Sequence, residues 1–213
     1  MNEAGDNVQT TASELLFSTP IFRQVLPEAA ELNEYLRELI LFRERADAKT
    51  PQAYSNVGGW HSAIDLQASL DQGLRLVLQK CRELAMLATE RLLTPAERSR
   101  AYRYLIAAWA NVSREGNYNV PHVHMSTWSA VYYVSVPDCG GDEPMAGGLE
   151  LLDPRPATAM VGMPGKFFAT RHLIKPQPGL LVLFPASIVH FVHPFRGAGE
   201  RISIACDLTL ETV

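Results

Sequence analysis

The 213-residue sequence has little cysteine, no sustained apolar run and no block of like charge. Each absence excludes something. Its three cysteines, Cys81, Cys139 and Cys206, are odd in number and widely spaced, which argues against a disulfide scaffold and fits a reducing compartment. No apolar run approaches the roughly 20 residues of a membrane helix. Residues 1–12 are polar and lack the apolar centre of a secretory signal, so a cytoplasmic location is expected. Lys and Arg total 19 against 23 Asp and Glu, for a net charge of −4, and the basic residues are scattered. Neither nucleic acid nor an anionic membrane is therefore an expected partner.

What is present reads as an ordinary globular chain, 47% hydrophobic and 20% charged. Its length suits one domain over 1–213, with a disordered tail at 1–12, helical support at 13–100 and a β core at 101–213. Glu14 to Val25, broken by Pro20, suits an edge strand, which leaves an edge where a homodimer can form. Apolar residues from Ala30 to Phe42 recur at helical spacing, and so do those from Leu66 to Leu93. A glycine-rich loop, Ser55 to His61, lies between these helices. Thr94-Pro95-Ala96-Glu97 has the form of a capping box. Beyond Asn119, short β-branched and aromatic runs bounded by Gly, Pro and Asp predict an antiparallel sandwich or barrel. The expected class is α+β, mainly β, as a jelly roll braced by N-terminal helices. Pro154 to His172, rich in Met, Phe, Gly and Pro, is long enough for a lid.

The chemistry centres on Pro121-His122-Val123-His124 and on Phe184-Pro185 followed by His190. Residues two apart on a strand project from one face, so His122 and His124 would converge, and His190 would arrive from another strand. Three such ligands leave open metal positions, the arrangement of non-haem iron oxygenases. Along Arg201 to Leu210, Ile202, Ile204, Cys206, Leu208 and Leu210 share the core face. Arg201, Ser203, Ala205, Asp207 and Thr209 share the other. An Arg and a Ser two residues apart can present a guanidinium fork and a hydroxyl to one carboxylate.

Taken together these residues resemble the 2-oxoglutarate- and iron(II)-dependent oxygenase superfamily, whose pattern is His-x-Asp/Glu, a distal His, and Arg-x-Ser about ten residues later. More narrowly, the chain is similar to a group of uncharacterised bacterial and phage oxygenases of that superfamily. The features shared with that group are Leu16-Phe17-Ser18-Thr19-Pro20, the Ser55 to Trp60 loop, Asn119 to His124, Val131-Tyr132-Tyr133-Val134 and Phe184-Pro185. The resemblance implies a double-stranded β-helix, Fe(II) and 2-oxoglutarate, and hydroxylation of a substrate, small molecule or peptide, that no motif specifies. It implies His122 and His190 as ligands, and Arg201 with Ser203 as the receptor for the distal carboxylate of 2-oxoglutarate. Of Tyr132 and Tyr133 one faces the co-substrate, and Tyr132 shares parity with the histidines.

The chain departs from the pattern at His124, where the superfamily has a carboxylate. Three arrangements are open: a three-histidine site, a two-histidine site with His124 behind it, or an inactive relic. His124 as third ligand is the expectation, with Asp138, Glu150 and Asp153 the nearest acidic alternatives. The rival class is a cupin-type three-histidine protein that binds metal or activates dioxygen without 2-oxoglutarate. Asn119 is a further candidate for holding co-substrate, and Trp60, His61, Trp128 and His193 are candidates for contacting substrate.

Overall fold

The computed structural model describes residues 17–27, 29–47, 54–139, 143–155 and 169–213. The expected tail at 1–12 and most of the expected lid at 154–172 lie outside them. In chain order the elements are β1 (Phe22–Val25), α1 (Ala29–Ala46), β2 (Asn56–Val57), β3 (Trp60–His61), α2 (Gln72–Leu92), α3 (Pro95–Arg98), β4 (Tyr102–Ser113), β5 (Tyr118–His122), β6 (Trp128–Ser135), β7 (Leu149–Leu152), β8 (Arg171–Ile174), β9 (Leu180–Pro185), β10 (His190–Val192) and β11 (Arg201–Thr212). The strands form two antiparallel sheets, ordered β1-β9-β6-β11-β4-β3 and β2-β5-β10-β7-β8. Three of the short strands come from the first hundred residues, so that region adds edges to both sheets as well as helices.

Period-two alternation places β11 between two interiors. Ile202, Ile204, Cys206 and Leu208 face the helices, packing with Leu36 and Ile40 of α1 and Leu74, Val77 and Cys81 of α2. Truncating a side chain such as Ile204, which is fully buried, costs about 2–5 kcal/mol. Strand β9 reads LLVLFP and is buried on both sides. Leu181 and Leu183 join the helix-side core, while Leu180, Val182 and Phe184 pack between the sheets with Tyr133, Leu149, Leu151 and Ile174.

The helix periodicity predicted over Leu66 to Leu93 is interrupted. A 3-10 turn at Leu66–Ala68 precedes an extended Ser69, and α2 starts only after Asp71, whose side chain accepts from the Leu74 amide. Leu70 falls in that break and is exposed. The Thr94–Glu97 capping box is present at α3. Among the described residues no helix is long and apolar enough to cross a membrane.

Candidate metal centre

Strand pairing brings the distant histidines together. His122 ends β5 and His190 begins β10, and the antiparallel register sets His190 directly opposite His122. Their ring centres are 4.3 Å apart. His124 lies just past the end of β5, not on it, and is tied down when its amide donates to the Ala186 carbonyl at 2.9 Å. Its ring centre is 5.0 Å from His122 and 5.1 Å from His190. One ligand atom from each of the three lies within 4.8 Å of those of the others. Metal–nitrogen bonds of about 2.1 Å at right angles need about 3 Å between nitrogens, which side-chain rotation can supply.

The second ring nitrogen of each histidine is already committed. Nδ1 of His122 bonds the Val120 carbonyl at 2.7 Å and Nδ1 of His190 bonds the Ile188 carbonyl at 2.8 Å. Nδ1 of His124 lies 3.1 Å from Oδ2 of Asp207. Carbonyl oxygens only accept, so Nδ1 of His122 and of His190 carries the proton and their Nε2 atoms face the cavity as the free nitrogens. Burial lowers the His122 pKa, and burial with repulsion from the other two rings pushes His190 down to about 3. Neutral imidazoles with free Nε2 atoms are the form a metal needs.

The same cavity, about 440 Å³, is lined by Arg201, Ser203, Tyr133, Asn111 and Asn119. Arg201 is buried, its Nε donates to the Gly147 carbonyl at 2.9 Å, and its guanidinium lies 5.2 Å from the centre of the Tyr133 ring. Gly147 is at φ +63°, and a Cβ there would come within 3.3 Å of Arg201 Cδ, so the arginine rests against bare backbone. Among the described residues no carboxylate pairs with Arg201, and burial lowers its pKa. Ser203 lies between Asn111 of β4 and Tyr133 of β6 in register. Among the described residues neither the buried Tyr133 hydroxyl nor the buried Asn111 amide oxygen has a hydrogen-bond partner. A buried cation beside unmatched polar groups is costly unless an anion completes it.

On the other side of the histidines, His61 stacks on Trp109 at 5.5 Å, and Trp109 in turn lies 5.6 Å from His124. Nδ1 of His61 donates to its neighbour's carbonyl, Ser62, at 2.6 Å, and burial keeps the ring neutral by lowering its pKa. Asn119 donates to Ser55 Oγ at 3.0 Å. Exposed Tyr54, Ile64 and Val123 mark the mouth of the cavity.

Four expected positions fall elsewhere. Tyr132 points to the helices, where its hydroxyl donates to Asn33 Oδ1 at 2.6 Å and burial pushes its pKa up to about 12. Tyr133 takes the pocket place instead, because the turn at 123–127 breaks the parity carried from the histidines. Trp128 shares Tyr132's face and donates its indole N–H to Thr89 Oγ1 at 2.9 Å. Trp60 belongs to the same helix-side core, its indole N–H donating to Asp47 at 3.3 Å. His193 turns out of the pocket to the buried Glu150 carboxylate. The acidic alternatives Asp138, Glu150 and Asp153 are absent from the cavity lining, and the carboxylate that reaches the histidines is Asp207.

Comparisons with known proteins bear on the family and the fold. Residues 107–207 match the family model described as "Putative 2OG-Fe(II) oxygenase". Among curated proteins none matches the chain. A prolyl-4-hydroxylase from Pseudomonas putida is 19% identical, with 90% of this chain and 93% of that one covered at a TM-score of 0.58. A prolyl hydroxylase from Trichoplax adhaerens, solved with a hypoxia inducible factor peptide fragment, is 12% identical over 89% and 83%, at a TM-score of 0.59. SnoK, a non-heme alpha ketoglutarate dependent carbocyclase from nogalamycin biosynthesis, is 11% identical over 89% and 79%, at a TM-score of 0.60. At these identities the likeness is one of fold, the double-stranded β-helix. The stretch that matches the 2OG-Fe(II) oxygenase family model, residues 107–207, is the one that carries the three histidines and Arg201.

Proposed function

We propose that His122, His124 and His190 hold one Fe(II) ion through their Nε2 atoms, and that Arg201, with Ser203 and Tyr133, receives the distal carboxylate of 2-oxoglutarate. One observation carries this reading: a buried guanidinium with no carboxylate partner among the described residues shares a cavity with three imidazoles whose Nδ1 atoms each meet an oxygen. The residues fit both groups. Neutral imidazole nitrogens suit Fe(II), and the guanidinium fork with two hydroxyls suits a carboxylate. A cupin-type site that uses no 2-oxoglutarate leaves that guanidinium and the Tyr133 hydroxyl unmatched.

When bound, iron and 2-oxoglutarate supply dioxygen activation, with release of succinate and carbon dioxide and oxidation of a substrate C–H bond. The chain's own residues orient and insulate. The Ile188 and Val120 carbonyls and Asp207 fix the three rings, Arg201 sets the direction of the diacid, and Leu149, Val131 and Val192 keep that end of the cavity apolar. The substrate, small molecule or peptide, enters past Tyr54 and Val123. Succinate formation from 2-oxoglutarate by the aerobic Fe(II)-loaded chain tests the reading. Wild type should form it, while His190→Ala and Arg201→Met should not. A wild type that forms none on prolonged incubation contradicts it.

A further inference from the structure

The three imidazoles are not supported alike. His122 and His190 each donate to a neutral carbonyl two residues earlier in the chain. His124 instead meets a carboxylate that comes from the opposite sheet, Asp207 on β11. Asp207 is the last pocket-facing residue of the row Arg201, Ser203, Ala205, Asp207, and its neighbours across the ladder are Ala107 and Ser129. Its ion-pairing contact among the described residues is His124, and its Oδ1 is buried without a hydrogen-bond partner. Arg201 is six residues away on the same strand, roughly 20 Å at about 3.3 Å per residue, too far to neutralise it. One oxygen of this carboxylate is therefore left unmatched among the described residues.

We propose that Asp207 is a positioning residue of the metal centre: by accepting the Nδ1 proton of His124 it aims that ring's Nε2 at the ion and supplies, across the imidazole, the negative charge missing from the three ligands. The proposal rests on the three-histidine site proposed above. It accounts for the departure at His124, since the carboxylate is kept and moved one ring back from the metal. The arrangement also makes His124 a more basic ligand than the other two, because its N–H partner is charged and theirs are neutral.

The test is Co(II) binding to the full metal-free chain, followed by the cobalt absorption spectrum. Asp207→Asn keeps an oxygen for Nδ1 and removes the charge, and it should weaken Co(II) binding by about 10–100-fold. The melting temperature of the metal-free variant should stay at or above that of wild type, because an uncompensated carboxylate has gone. In a His124→Asp background the Nδ1 donor no longer exists, so adding Asp207→Asn should cost no further affinity. Equal Co(II) affinity in wild type and Asp207→Asn overturns the proposal, and so does an equal loss in both backgrounds. If His124→Asp binds no cobalt, the single-variant comparison decides alone. A wild type that binds no Co(II) overturns the metal site itself and Asp207's role with it, whereas a wild type that binds while Asp207→Asn binds equally well removes Asp207 only.

Discussion

Replacing Arg201 by methionine separates an anion receptor from a structural arginine. Arg201 is 2% exposed and its Nε is held by the Gly147 carbonyl, which leaves its terminal nitrogens for a ligand. Unit charges about 4 Å apart attract by about 4 kcal/mol at an effective dielectric of about 20. Truncating one side of a buried, hydrogen-bonded charge pair costs about 2–5 kcal/mol. The guanidinium's own desolvation favours the low end, near 3 kcal/mol, or about 100-fold in affinity at about 1.4 kcal/mol per decade. Metal-free stability should move little, since one hydrogen bond worth about 1 kcal/mol is lost together with an unpaired buried charge. The assay is calorimetric titration of the Mn(II)-loaded chain with 2-oxoglutarate and, in parallel, with 2-oxobutyrate, which keeps the keto acid and lacks the second carboxylate. Wild type should prefer the diacid strongly and Arg201→Met should not. A variant that keeps the wild-type preference would refute the reasoning.

The two tyrosines give opposite readouts. Tyr133→Phe should weaken 2-oxoglutarate binding by about 1 kcal/mol with stability unchanged or improved, because its hydroxyl has no hydrogen-bond partner among the described residues. Tyr132→Phe should lose about 1 kcal/mol of stability through the Asn33 bond and leave co-substrate affinity alone, as urea melts and calorimetry can check. Acid should destabilise the metal-free chain in a defined window. His190 is held near pKa 3 when folded and returns to the ordinary imidazole value of about 6.5 when unfolded. The unfolded chain therefore binds the proton first as pH drops. Stability is full above pH 6.5 and falls toward pH 3 by up to about 1.4 kcal/mol per unit. Urea melts of His190→Gln should show a shallower pH dependence, and an unchanged slope would count against burial as the cause.

Much of this was legible in the sequence where a local pattern carried the information. The β11 alternation put Arg201, Ser203 and Asp207 on one face and Ile202, Ile204 and Cys206 on the other, as the structure has them. His122 and His190 stood out by their strand contexts, although that pattern could not supply the register that sets them opposite one another. Parity failed at Tyr132 because five irregular residues, 123–127, separate the histidines from β6. Trp60 and Trp128 look like pocket residues by chemistry, but their side is decided by which face of the six-stranded sheet the helices cover. Asp207 stands on the Arg201 face, but its distance in sequence from His124 hides the contact. The contact between them exists only because the two sheets face each other. The break before α2 was signalled by Asp71, a residue type suited to an N-cap, inside an otherwise continuous apolar rhythm.

The central claim is that one metal ion and one diacid occupy this cavity together. Anaerobic addition of Fe(II) and then 2-oxoglutarate, followed by visible absorbance, tests it most directly. A metal-to-ligand charge-transfer band saturating at one equivalent of each, lost in His190→Ala and strongly weakened in Arg201→Met, is the predicted result. No band in wild type, or a band that survives both substitutions combined, would contradict it.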